Sequence, residues 1–159
     1  MHQISTFVRG AVQEVFSTMV SLETQVSEAV ADDQSSPCTL SGITGSVSFT
    51  GKMTGILYLN FSGELPKYCA SFIMGTSPNE MTQEEIYDVV GELTNMVTGN
   101  LKSKMTDKGF NCQLSIPSVM KAELLSVTSR QSPLSLYNEF SVPSLKEIIR
   151  VNVFARLEE

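Results

Sequence analysis

The 159-residue chain predicts an α+β fold, a largely antiparallel sheet with helices packed on one side. Three observations carry that expectation. Apolar residues at steps of three and four mark two amphipathic helices, one at 4–19 and a long one at 82–106. The segments between and after them alternate apolar with polar residues, or are densely apolar, and are bounded by Gly, Pro, Asn and Asp. The order helix-then-strands also occurs twice, a hint of internal duplication.

Composition narrows the function classes. With 42% hydrophobic and 18% charged residues, the chain has enough apolar content to fold, as a single domain over 1–159. No run reaches the roughly 18–20 uninterrupted apolar residues of a membrane span. A net charge of −6 without a basic stripe argues against a nucleic-acid partner. The opening MHQISTFVRG has no charged stretch leading into a solid apolar one, so no signal peptide is expected and the protein is expected to be cytoplasmic.

The opening helix is read from Ile4, Phe7, Val8, Ala11, Val12, Val15, Phe16 and Met19. Weak alternation of Leu22, Val26 and Ala29 suggests a strand over 21–30, followed by a polar loop at 32–37. CTLSGITGSVSFTG and KMTGILYLNFS form an antiparallel hairpin turning at Thr50-Gly51-Lys52, and the second strand is dense enough to be covered on both faces. Pro66 opens a short helix that shares Leu65, Cys69, Phe72 and Ile73 on one face and ends near Gly75. Thr82-Gln83-Glu84-Glu85 is a capping box that starts the long helix, which Asp107-Lys108-Gly109 stops. The strands FNCQLSIPSVMKA, LYNEFSV and KEIIRVNVFARL complete the chain.

At about 100° per residue, the long helix has a core stripe of Ile86, Val89, Val90, Leu93, Val97 and Leu101. A separate row about 150° away holds Asp88, Glu92, Asn95 and Gly99. A solvated polar face explains such a row by composition. Against that stand three poor helix formers beside it, Gly91, Asn95 and Gly99, the glycines each costing about 1 kcal/mol relative to alanine. A surface that another molecule approaches closely explains them better.

These residues resemble the signature of the CheC/CheX/FliY chemotaxis phosphatases. That pattern is Asp or Ser, three residues, Glu, two residues, Asn, and a proline about 22 positions on; here it reads Asp88, Glu92, Asn95 and Pro117. The strand pair SGITGSVSFTGKMTGILYLNFS is similar too, and length and element order are closest to CheX. The resemblance implies a phosphatase acting on the phosphoaspartate of a CheY-like response regulator. The regulator brings its own Mg2+, and this chain brings no metal or cofactor. Asn95 is then expected to position the attacking water, and Glu92 to pair with the regulator's lysine. Asp88, Gly99 and Met96 are expected binding contacts, and Pro117 a shaper of its strand. The resemblance further implies a homodimer.

The counterpart on the opening helix keeps Glu14 but has Ser17 in place of the asparagine, so one active site per chain is expected. Cys38, Cys69 and Cys112 are odd in number and lack a C-x-x-C pair, which makes free thiols the expectation. The methionines are scattered and fill core space, apart from Met96 at the border of the row. Ser115 lacks a partner base and is no nucleophile, and one histidine, His2, leaves histidine chemistry without material. A non-catalytic module of the same fold, docking a regulator or a second copy, is the other function class.

Overall fold

The structure, a computed structural model, describes residues 2–32, 38–128 and 132–159. Along the chain lie α1 (His2–Val20), β1 (Gln25–Asp32), β2 (Cys38–Gly51), β3 (Met53–Phe61), α2 (Leu65–Met74) and α3 (Gln83–Thr106). They are followed by β4 (Cys112–Leu114), β5 (Ser118–Val127), β6 (Leu134–Val142) and β7 (Glu147–Leu157). A single 3-10 turn, Pro78–Glu80, joins α2 to α3. The chain is thus α+β, as expected. The expected polar loop after Asp32 falls on 33–37, outside the described residues.

The seven strands form one sheet in the order β1-β6-β7-β3-β2, with β4 and β5 pairing successive parts of β2, and every pairing is antiparallel. β2 and β3 form the hairpin expected from Gly51-Lys52, in a register that sets Val47 opposite Leu57 and Phe49 opposite Gly55. The inward positions of β3 and β7, Leu57, Leu59, Phe61 and Ile149, Val151, Val153, meet Val8, Val12 and Phe16 of α1 and Val90, Leu93 and Val97 of α3 in one core. All three helices lie on this side. Strand alternation therefore decides which residues face the helix layer.

Three details differ from the sequence reading. β3 is covered unevenly on the face away from the helices: Asn60 is fully buried there, whereas Ile56 and Tyr58 are half-buried. Their cover comes sideways from cross-strand neighbours, such as the edge-on contact of Tyr58 with Phe154 at 6.3 Å. In α2, Phe72 and Ile73 are exposed, at 46% and 39%. Leu65 and Cys69 are buried as expected, but the buried side continues through Pro66, Ala70 and Ser71, and Phe72 stacks on Tyr68. The segment 110–122 is two strands rather than one. Pro117 has no N–H to give a ladder, and Ser115 instead donates its amide to Ser48 O at 2.8 Å, so pairing breaks between Leu114 and Ser118.

Candidate functional site

α3 starts where the capping box predicts. The Glu85 amide donates to Thr82 Oγ1 at 3.2 Å, and Glu85 Oε2 accepts from the Thr82 amide at 2.9 Å. Two orphan donors of the first turn are thereby satisfied. The predicted core stripe of Ile86, Val89, Val90, Leu93, Val97 and Leu101 is buried throughout. Helical geometry then leaves the row of Asp88, Glu92, Asn95 and Gly99 on the opposite, outward side. Asp88 and Glu92 are exposed, and Asn95 and Gly99 are half-buried. Among the described residues, the side chains of Asp88, Glu92 and Asn95 have no hydrogen-bond or ion-pair partner. A Cβ on Gly99 would meet nothing within 4 Å.

The sheet fixes the depth of this helix. Gly45 of β2 has no side chain where Thr94 packs down, and a Cβ there would collide with Thr94 Oγ1. Thr94 itself is fully buried and donates its hydroxyl to Val90 O at 2.7 Å, as Thr98 does to Thr94 O at 2.7 Å. Each buried hydroxyl thus finds its acceptor in the preceding turn. Thr94 precedes Asn95, so the same residue that seats the helix on the sheet is joined by one peptide bond to the outward carboxamide.

Two walls flank the row. On the Met96 side lies α1, with a shallow groove of about 300 Å³ lined by Val15, Thr18, Met19, Met96, Gly99 and Asn100 among others. There Asn100 Nδ2 donates to Glu14 Oε2 at 2.9 Å and Lys104 Nζ stands 3.9 Å from the same oxygen. Ser17 donates its hydroxyl to the carbonyl of Glu14 at 3.1 Å. Glu14 is therefore engaged by α3, unlike Glu92.

On the other side lies the turn between β4 and β5. Gly91 is buried, and a Cβ there would stand 3.4 Å from Val119 Cγ2 and 3.6 Å from Pro117 Cγ. Gly91 is one turn before Asn95, so Pro117 abuts the flank of the row. Pro117 does shape its strand by ending the ladder, and it also seats the turn on α3. The residue beside it, Ile116, is 87% exposed. Nothing in periodicity marks Ile116, because its position follows from a broken strand whose sequence reads as continuous.

Neither described cysteine thiol offers chemistry. Cys69 is fully buried and burial pushes its thiol up to about 12, while burial raises Cys112 despite the opposing influence of Lys102. Among the described residues no three His, Cys, Asp or Glu side chains gather as a metal-binding group. None of the helices described is long and apolar enough to cross a membrane.

The chain is thus an α+β domain, an antiparallel sheet layered by helices, with an Asp/Glu/Asn row on the outward side of α3. The family model described as chemotaxis phosphatase CheX matches residues 43–140, well over half of the chain and inclusive of the row and Pro117. This chain belongs to the CheX family. A curated relative, the CheY-P phosphatase CheX of Thermotoga maritima, is 28% identical over 97 residues, which span 58% of this chain and 63% of that protein. The fold is shared with the chemotaxis protein CheX from Vibrio vulnificus, at TM-score 0.80, 22% identity, and coverage of 96% of this chain and 99% of that one. It is shared also with a CheX–CheY–BeF3–Mg2+ complex from Borrelia burgdorferi, at TM-score 0.73 and 22% identity, covering 95% of this chain and 96% of that one.

Proposed function

We propose that this chain, acting as a single cytoplasmic domain, accelerates hydrolysis of the phosphoaspartate on a CheY-like response regulator. The observation that carries the reading is the outward row of α3, with Glu92 exposed and Asn95 half-buried on one side of the helix and both side chains without a partner among the described residues. Membership of the CheX family and the relative's name supply the substrate class.

An acyl phosphate is already labile, and what it lacks is a water held in line. The Asn95 carboxamide both donates and accepts, so it can orient one water by two hydrogen bonds. The water oxygen joins phosphorus, the bond between phosphorus and the aspartate oxygen breaks, and the proton leaves with the phosphate. Positioning of this kind is what the water-orienting glutamine of GTPases does. Glu92, nearly one turn earlier, pairs with the regulator's lysine and fixes the register of the docked complex. Asp88 anchors the rim, and Gly99 and Met96 form the floor toward α1. Mg2+ belongs to the regulator, and the chain uses no cofactor of its own. A homodimer is the expected assembly.

The test is phosphate release from Mg2+-loaded, phosphorylated regulator. Wild type speeds the decay, and Asn95→Ala removes most of the gain, by a factor on the order of 100, while the complex still forms. Equal decay rates with the two proteins leave only a docking role.

A further inference from the structure

We infer that Ile116, on the turn between β4 and β5, is an apolar docking anchor that sets affinity for the phosphorylated regulator. This inference rests on the reading of α3 as the catalytic helix. Ile116 is the most exposed large hydrophobic among the described residues, at 87%. Single exposed apolar residues are ordinary on a protein surface; Ile116 is set apart by its place on the turn that packs beside the site helix.

The turn is also braced. The Ser115 amide donates to Ser48 O at 2.8 Å, the Ser48 amide donates to Ser115 Oγ at 3.0 Å, and Ser115 Oγ donates to Ile116 O at 2.9 Å. On the far side Pro117 faces Gly91, where an added Cβ would stand in ordinary van der Waals contact with it. Ile116 is thus bracketed by two fixed residues, one tied to the sheet and one packed on the site helix. A side chain presented this way needs little ordering when a partner arrives.

Its place names the partner. Pro117 abuts Gly91, which lies one turn from Asn95 and next to Glu92, so this turn borders the surface that a protein bringing a phosphoryl group to Asn95 would meet. The occupant is the regulator itself. Polar contacts from Glu92 set register, and Ile116 adds buried apolar area at the margin of the same interface.

The experiment measures dephosphorylation against regulator concentration, with melting midpoints alongside. Ile116→Ser raises KM about tenfold, as loss of a largely buried aliphatic side chain does. It leaves kcat and the melting midpoint unchanged, and Ile116→Leu restores KM. Leu124→Ser, a change at a 72% exposed residue further along β5, leaves KM as in wild type. An active Ile116→Ser enzyme with wild-type KM overturns the anchor and leaves the phosphatase reading standing. So does an equal rise in KM from Leu124→Ser, which would mark general surface stickiness. A lowered kcat or melting midpoint with KM unmoved overturns it as well. If wild type does not accelerate hydrolysis, the phosphatase reading fails instead, and regulator binding to wild type and Ile116→Ser, measured by calorimetry, still decides the anchor: equal affinities sink it.

Discussion

Glu92 and Asn95 sit on one side of α3 yet differ in cover, exposed and half-buried respectively. The acid therefore meets a visiting cation with its hydration only partly lost, whereas the carboxamide works nearer the wall formed by Pro117. Glu92→Lys sets two cations against each other in the docked complex, and like-charge apposition costs several kcal/mol. Affinity for the phosphorylated regulator then falls by at least about 100-fold, while melting is unchanged because Glu92 has no partner among the described residues. Titration calorimetry checks this, and retained affinity removes the docking role of Glu92. Spacing alone placed the row, since four residues at i, i+4, i+7 and i+11 must stack on a helix. Spacing had no access to Ile116, whose exposure depends on how Ser115 and Pro117 interrupt a pairing with β2.

At the scale of elements, α3 was readable because its capping box, core stripe and terminal turn all agree. Its seating on the sheet was not, because Gly45 and Thr94 meet only once β2 is in register beneath the helix. The same limit explains α2. Periodicity places Leu65, Cys69, Phe72 and Ile73 on one face, yet only Leu65 and Cys69 reach the core, and the smaller Ala70 and Ser71 are buried where Phe72 and Ile73 are not. A methyl group at Gly45 has nowhere to go while Thr94 is held by Val90 O. Gly45→Ala is expected to destabilise by about 1–3 kcal/mol through overpacking. Adding Thr94→Ala makes room, so the double variant recovers part of that loss. Urea unfolding of the two singles and the double measures the coupling, and strictly additive costs would show that the two residues do not share a space.

Over the whole molecule, helices on one side of an antiparallel sheet put Cys69 of α2 deep in the common core. Its folded thiol keeps a proton up to about 12, against an ordinary value of 9.0, because burial penalises the thiolate. Between those values the unfolded chain binds fewer protons than the folded one, so stability falls as pH rises, by about 1.4 kcal/mol per unit for this one group. Tyr58 and Tyr137, also raised by burial, act in the same direction. Comparing chemical unfolding of wild type and Cys69→Ala across pH 9–12 isolates the thiol: the alkaline slope flattens in the variant, and identical slopes would discount it. The α+β class and the layer arrangement followed from periodicity and turns, while the uneven cover of the outer face of β3 depends on which cross-strand neighbours lie beside it.

The hold that Asn100 and Lys104 exert on Glu14 has an evolutionary corollary. Turning this chain into a double-headed enzyme would take more than exchanging Ser17 for a carboxamide. The acid on the opening helix would also have to give up its exposed contacts with Asn100 and Lys104 before it could face a second partner.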